Sequence, residues 1–283
     1  MKKFFVMLLT LIMGIGCIGF IGCGDSEGKT LNVYTNAGFA PYEYVNEKGE
    51  VVGVDIDIMK EVGEVLGYKV VIKDIDFNQI LVEVAKDEYA VGAAGMTKRP
   101  DRDEVALATN IYATSVQYVI VPTGTFGEAD LVDGKLPLEK LATLSKKAIG
   151  VQEGTTGNWL IDDAIAGYDS VDETTGDTIH TTGELEGTGN SSFLYANAII
   201  ASNDIGISLG AVVIDKLPAQ SIAAASNGTL EAIELNADPE SYVIYCNKNA
   251  TSLVADINKV LDAMISGGVI DYYTLKHSGG IVG

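Results

Sequence analysis

The chain is poor in the residues from which metal centres and disulfide frameworks are built. Its 283 residues include three cysteines and two histidines, and no Cys/His spacing suited to a metal ion occurs. Positive charge is scarce too: 19 Lys and Arg stand against 39 Asp and Glu, a formal charge of -20. That balance argues against a nucleic-acid partner, whose phosphates call for a basic face. It names no basic substrate by itself, because net charge sets solubility and long-range field rather than a site. Hydrophobic residues, at 47%, suffice for a core and exclude wholesale disorder. At about 150 residues per domain, the length gives one large domain or two lobes.

One long apolar run does occur, at the start. Lys2 and Lys3 precede an uncharged stretch from Phe4 to Gly22, followed by Cys23 and the polar Gly24-Asp25-Ser26. A basic start, an apolar middle and small residues before a cut form the layout of an export signal. A single-span anchor is the alternative, since roughly 20 apolar residues cross a bilayer. The run resembles a bacterial lipoprotein signal, with residues 1–22 removed and Cys23 lipidated. Cys17 is a second candidate, and Phe20 departs from the Leu usual in that pattern. With Cys23 acylated, Cys246 has no disulfide partner, and its place beside Tyr242–Tyr245 suits a small buried hydrophobe. No later apolar run is long enough to span a membrane.

Past a short tether at 23–29, strand and helix signals alternate. Residues 31–35 alternate as a half-buried strand. Asp55 is placed to cap a helix whose face carries Ile58, Met59, Val62, Val65 and Leu66, ended by Gly67. Strands follow at 70–72, 90–94 and 117–121, with a helix at about 78–86 between the first two. A second block opens with a strand at 148–151 and a helix at about 158–165, and has further strands at 211–214 and 242–246. Leu253, Val254, Ile257, Val260, Leu261, Met264 and Ile265 mark a closing amphipathic helix. The alternation calls for a mostly parallel α/β sheet. Residues 124–137 and 169–192, rich in Gly, Thr and acid, are expected to be loops, the second long and exposed.

The stretch Ala94-Gly95-Met96-Thr97-Lys98-Arg99-Pro100-Asp101-Arg102 follows a strand. A helix start with free N–H groups beside a guanidinium suits a carboxylate, with Arg102 as the clamp. A solvated helix opened by Pro100 is the plainer alternative. Taken with Thr35–Tyr44, Gly53–Asp57, Ile149–Gly157 and Val212–Pro218, this stretch resembles the family 3 solute-binding proteins, receptors of polar amino acid ABC importers. The five motifs fall in order, and the likeness covers about residues 30–278.

The resemblance implies a periplasmic-binding-protein-like type II fold: two α/β lobes joined by a two-strand hinge with the ligand cleft between. Lobe 1 would comprise 30–118 and 247–283, and lobe 2 would comprise 119–246. It implies that Arg102 grips the ligand's α-carboxylate, helped by Gly95 and Thr97 and, from the other lobe, by Gly154, Thr155 and Thr156. Asp215 would take the α-ammonium, and Phe39 and Phe77 would sandwich the side chain. Such a site suits a zwitterion, each charge meeting its opposite away from water. Asn36 and Gln152 would set specificity. Both are uncharged, which favours an uncharged polar amino acid, with basic ones second. Glu43 and Tyr44 read as structural or solvated, Trp159 as packing, His180 as solvated, and Arg99 as a second anion contact.

The implied partners are a free amino acid, an ABC permease and the membrane reached through the lipid, on the outer face of the cytoplasmic membrane. The chain is expected to act as a monomer without cofactor. Two rivals share the scaffold. One is a cyclohexadienyl dehydratase-like lyase, for which Glu153 is the candidate acid. The other is a receptor feeding a sensor protein.

Overall fold

The computed structural model describes residues 28–171, 178–181, 185, 191–194 and 198–279; the expected signal segment and Cys23 lie outside them. Two five-stranded sheets organise the chain. The first is ordered Lys69–Asp74, Thr30–Thr35, Ala90–Gly92, Tyr245–Asn247, Ala106–Ala108; the second Ser191–Leu194, Ala148–Val151, Ala211–Asp215, Gln117–Pro122, Leu230–Glu234. In each sheet four strands run one way and a single strand runs against them. The reversed strands are Tyr245–Asn247 and Gln117–Pro122, the strands through which the chain enters each sheet from the other. Just before them, Ala113–Ser115 and Glu240–Tyr242 pair antiparallel, with Glu240 opposite Ser115. The fold is therefore two α/β lobes joined by a two-strand hinge.

The helices are α1 (Val54–Leu66), α2 (Ile80–Val84), α3 (Pro100–Val105), α4 (Thr156–Ala166), α5 (Ala198–Asn203), α6 (Lys216–Ala225), α7 (Thr251–Ser266) and α8 (Val269–His277). Helix α1 starts after Gly53, so Asp55 is its second residue and not its cap. Asp55 is buried, accepting from the Gly95 N–H and the Tyr112 hydroxyl, a position that the helix periodicity does not announce. Ile58, Met59 and Val62 are fully buried as expected, whereas Val65 is 50% exposed. Helix α7 turns Leu253, Ile257, Val260, Leu261 and Met264 into the first lobe's core. The expected continuous strand at 242–246 is two short strands in different sheets, because the chain changes lobe there. The expected helix at 78–86 begins with a 3-10 turn at Phe77–Gln79.

The expected long loop at 169–192 is corrected in part. Tyr168–Val171 pairs antiparallel with Thr178–Thr181, and Ser191–Leu194 joins the second sheet beside Ala148–Val151. Backbone pairing there outweighs the polar composition from which a loop was expected. Cys246 is fully buried in the first sheet, and burial pushes its thiol pKa up to about 12. No described helix is long and apolar enough to cross a membrane.

Helix α7 offers a test of the core. Ile257→Ala removes a fully buried side chain and is expected to cost about 2–5 kcal/mol. Ile265→Ala, on the same helix but 44% exposed, is expected to cost well under that. Urea denaturation of both variants checks the contrast.

Candidate functional site

A cavity lies between the lobes where strand ends and loops of both sheets meet. It is lined by Asn36, Phe39, Glu43, Phe77, Ala94, Gly95, Thr97 and Arg102 from the first lobe, and by Gln152, Thr155, Thr156 and Asp215 from the second. Ten of the eleven ligand contacts expected from the sequence are in that lining, with Glu43 and Ala94 added; Gly154 stands outside it, its carbonyl accepting from Arg102.

Arg102 is buried in the first lobe on α3. Its Nη1 donates to the Thr97 carbonyl at 2.8 Å and its Nη2 to the Gly154 carbonyl at 2.9 Å, across the cleft. Neither bond goes to a carboxylate, so the cation holds its charge in the lining without a directly bonded anion. Opposite it, α4 starts at Thr156, with Thr155 as its cap accepting from the Asn158 N–H. The N–H groups of Thr156 and Gly157 belong to the first turn, which has no carbonyl of its own helix to meet them. Guanidinium and helix start together favour an anion.

The Gly95 contribution differs from expectation. Its N–H donates to Asp55 Oδ2 at 2.8 Å and is not free. Gly95 matters through what it lacks: its φ is +53°, and a Cβ there would stand 2.6 Å from the Phe39 ring. Phe39 is thereby seated directly against the loop that carries Thr97 and Arg102. Thr97 donates its hydroxyl to Glu240 Oε2 at 2.6 Å and accepts from Thr156 at 3.2 Å.

Negative charge dominates the rest of the site. Asp215 ends the strand Ala211–Asp215 and is buried, accepting from Gln117 Nε2 at 2.9 Å and from the Tyr242 hydroxyl. Burial first, then repulsion from Glu240, pushes its carboxyl up to about 7 against the hydrogen bonds that lower it. Asp55, beneath the site, is raised by burial to about 6 although Gly95 and Tyr112 donate to it. Glu43, expected to be structural or solvated, is 1% exposed and lines the cavity. Its Oε2 has no hydrogen-bond partner. Burial, with Asp55, Asp215 and Asp74 adding repulsion, holds its carboxyl well above the usual carboxylate range.

Other placements also differ. Asn36 and Gln152 are joined to each other across the cleft, Gln152 Nε2 donating to Asn36 Oδ1 at 2.9 Å, and Asn36 Nδ2 donates to the Ile75 carbonyl. Arg99 is not in the lining; it stacks on Trp159. Glu153 is exposed. Gln117, Glu240 and Tyr242, the hinge residues that hold Asp215 and Thr97, were not found from the sequence. Tyr242 was visible only as part of an apolar run, and the other two carry no motif. Among the described residues no group of three or more His, Cys, Asp and Glu could hold a metal ion.

Residues 31–279 match the family model of bacterial extracellular solute-binding proteins, family 3. The chain belongs to that family. Among curated relatives of this solute-binding protein is the arginine-binding extracellular protein ArtP of Bacillus subtilis. The two are 28% identical over 163 residues, 55% of this chain and 57% of ArtP. The L-cystine-binding protein TcyJ of the same organism is 31% identical over 124 residues, 42% of this chain and 46% of TcyJ. The match thus spans about half the length of these curated relatives. Among solved structures, an ancestral arginine-binding protein bound to arginine aligns with a TM-score of 0.71 at 25% identity, covering 87% of this chain and 97% of that one. The same kind of protein bound to glutamine aligns at 0.70 and 26%, covering 87% and 96%.

The raised carboxyls fix a pH dependence for the ligand-free protein. A carboxyl whose folded pKa lies above its unfolded value contributes stability below about 3.8, and loses it as pH rises through the folded value. For Asp55 and Asp215 that window runs from about 4 to about 7. The melting temperature of ligand-free protein is expected to fall between pH 5 and pH 8, and Asp215→Asn to flatten the fall. Melts of both proteins across that range check it.

Proposed function

We propose that this solute-binding protein takes up one free amino acid between its lobes, with a cationic side chain preferred. Support comes from the charge balance of the cavity. A zwitterion's carboxylate suits Arg102 with the start of α4, and its ammonium suits Asp215. That leaves Glu43, whose buried Oε2 lacks any partner. An unpaired buried carboxylate is costly, and a guanidinium or ammonium on the ligand side chain would relieve it. The uncharged Asn36 and Gln152 favoured an uncharged side chain from the sequence. Their amides are occupied with each other, so the order is reversed in favour of basic amino acids. The names of the relatives, arginine-binding and cystine-binding proteins among them, agree with a charged or doubly zwitterionic ligand. Phe39 and Phe77 would flank the side chain and exclude water.

In this reading the loaded, closed protein is handed to an ABC permease, and a lipid on Cys23 keeps it at the outer face of the membrane. Binding is favoured over lyase chemistry because Glu153 is exposed and the matched relatives carry names of binding proteins. Glu43 is the better candidate acid of the two, so the ligand's fate is worth measuring. Ligand recovered after long incubation is expected to have unchanged mass, and a product of lower mass would turn the reading toward the lyase.

Calorimetry against arginine, lysine, histidine, cystine and glutamine tests the site. Arg102→Ala is expected to abolish binding of all of them, since it removes the carboxylate's cation. Glu43→Gln is expected to weaken basic ligands by about tenfold or more while leaving glutamine nearly unchanged. A uniform loss would remove Glu43 from the side-chain site. Arginine binding should release protons and strengthen from pH 6 to pH 8, because a bound cation favours the ionised forms of Glu43 and Asp215. For the anchor, Cys23→Ala is expected to move the protein from the membrane to the soluble fraction of an expressing bacterium.

A further inference from the structure

Outside the ligand cavity, a second set of contacts crosses between the lobes. Arg99 stands at the cap position of α3 in the first lobe, and Trp159 lies in the first turns of α4 in the second. The Arg99 guanidinium carbon is 3.3 Å from the centre of the Trp159 ring, a face-on stack. Neither residue lines the cavity. The guanidinium is held in place from its own lobe: Arg99 Nε donates to Asp101 Oδ1 at 2.9 Å, and its main-chain N–H donates to the Tyr245 hydroxyl at 3.0 Å. Its charge also reaches Asp163, one turn along α4, whose carboxyl is raised by burial and then by Asp162, the Arg99 charge offsetting only part of the rise. Arg102 approaches the same indole at 5.6 Å.

We propose that Arg99 and Trp159 form an interlobe latch, a pair of positioning residues that favours the closed arrangement whether or not ligand is present. The stack can exist only when the lobes meet, so its free energy enters the opening equilibrium directly. An arginine over tryptophan, the best ring for the purpose, keeps its planar face stacked and its edge free for Asp101. Because the pair lies outside the cavity lining, it sets affinity through the closed population and leaves the choice among amino acids to the cavity. The inference rests on the proposed reading only in the affinity it would tune; closure can be measured without any ligand.

The test uses Arg99→Met, Trp159→Ala, the double variant and Trp159→Phe on the soluble chain starting at residue 24. Small-angle scattering of ligand-free protein is expected to show a larger radius of gyration for Arg99→Met than for wild type. Trp159→Phe, which keeps a ring, is expected to fall between. For whichever amino acid binds, Arg99→Met is expected to raise Kd by roughly two- to thirty-fold. The rise should lie mainly in a faster off-rate, by the same factor for every ligand, and the double variant should add little to either single one. Equal radii for wild type and Arg99→Met, additive effects in the double variant, or a change in ligand order would each overturn the latch. If no amino acid binds wild type, the scattering comparison still decides the latch while the proposed function alone fails.

Discussion

The constraint on which the site depends is an excess of buried negative charge. Glu43, Asp55, Asp215 and Glu240 are all buried around one cleft, against a single buried guanidinium, Arg102. Desolvated carboxylates this close cannot all ionise at ordinary cost: burial lifts Asp55 to about 6, and burial with repulsion from Glu240 lifts Asp215 to about 7. The arrangement survives because donors have been brought to three of the four. Asp55 has the Gly95 N–H and the Tyr112 hydroxyl, Asp215 has Gln117 and Tyr242, and Glu240 has Thr97 and Gln117. Glu43 is left with a bare oxygen. A site held short of positive charge binds best what supplies it, and the preference proposed for basic ligands is a consequence of that shortage.

Those donors also tie the site to the hinge. Gln117 opens the strand leaving one crossing, and Glu240 and Tyr242 lie in the other crossing strand. Gln117 donates to both Asp215 and Glu240, so the acid placed for an ammonium and the acid that holds Thr97 share one amide. Neutralising Asp215 with a cation would change the charge felt by groups within the hinge itself. The lobes thus have a physical route by which occupation of the cleft bears on the strands about which they turn.

Much of the fold was legible because helix α7 and the central strands of both sheets obey simple rules: α7 repeats its apolar face, and the strands are apolar runs bounded by turn residues. What escaped was set by pairing at a distance. The strands at 168–171 and 178–181 carry only Tyr168, Val171 and Ile179 among polar residues, too few to mark an apolar period, and the break within 242–246 exists only because the chain changes sheets. Ten of the twelve lining residues were reached through the family likeness, since individually Asn36, Thr97 or Asp215 carry no signal of a site. Glu43 was missed for the opposite reason. A glutamate between two tyrosines after a proline reads as surface, and only the packing of Tyr42 and α1 around it makes it internal.

Closure itself is held by contacts of modest strength, and their kind explains why the cleft can open. Gln152 with Asn36, Thr156 with Thr97, Arg102 with the Gly154 carbonyl and Arg99 with Trp159 are all polar or cationic contacts between groups that water can satisfy when the lobes part. The buried apolar clusters divide by sheet except at two places, where Phe39 packs against the second lobe's cluster and Leu217 against the first's. Parting the lobes therefore gives up the apolar packing of Phe39 and Leu217 and otherwise exchanges hydrogen bonds for hydrogen bonds, worth about 1 kcal/mol each in net terms. A ligand that completes the charge of the cleft adds contacts to both lobes that only the closed arrangement offers. A hydrophobic seam between the lobes would have closed them permanently, and the cavity would then have no way to fill.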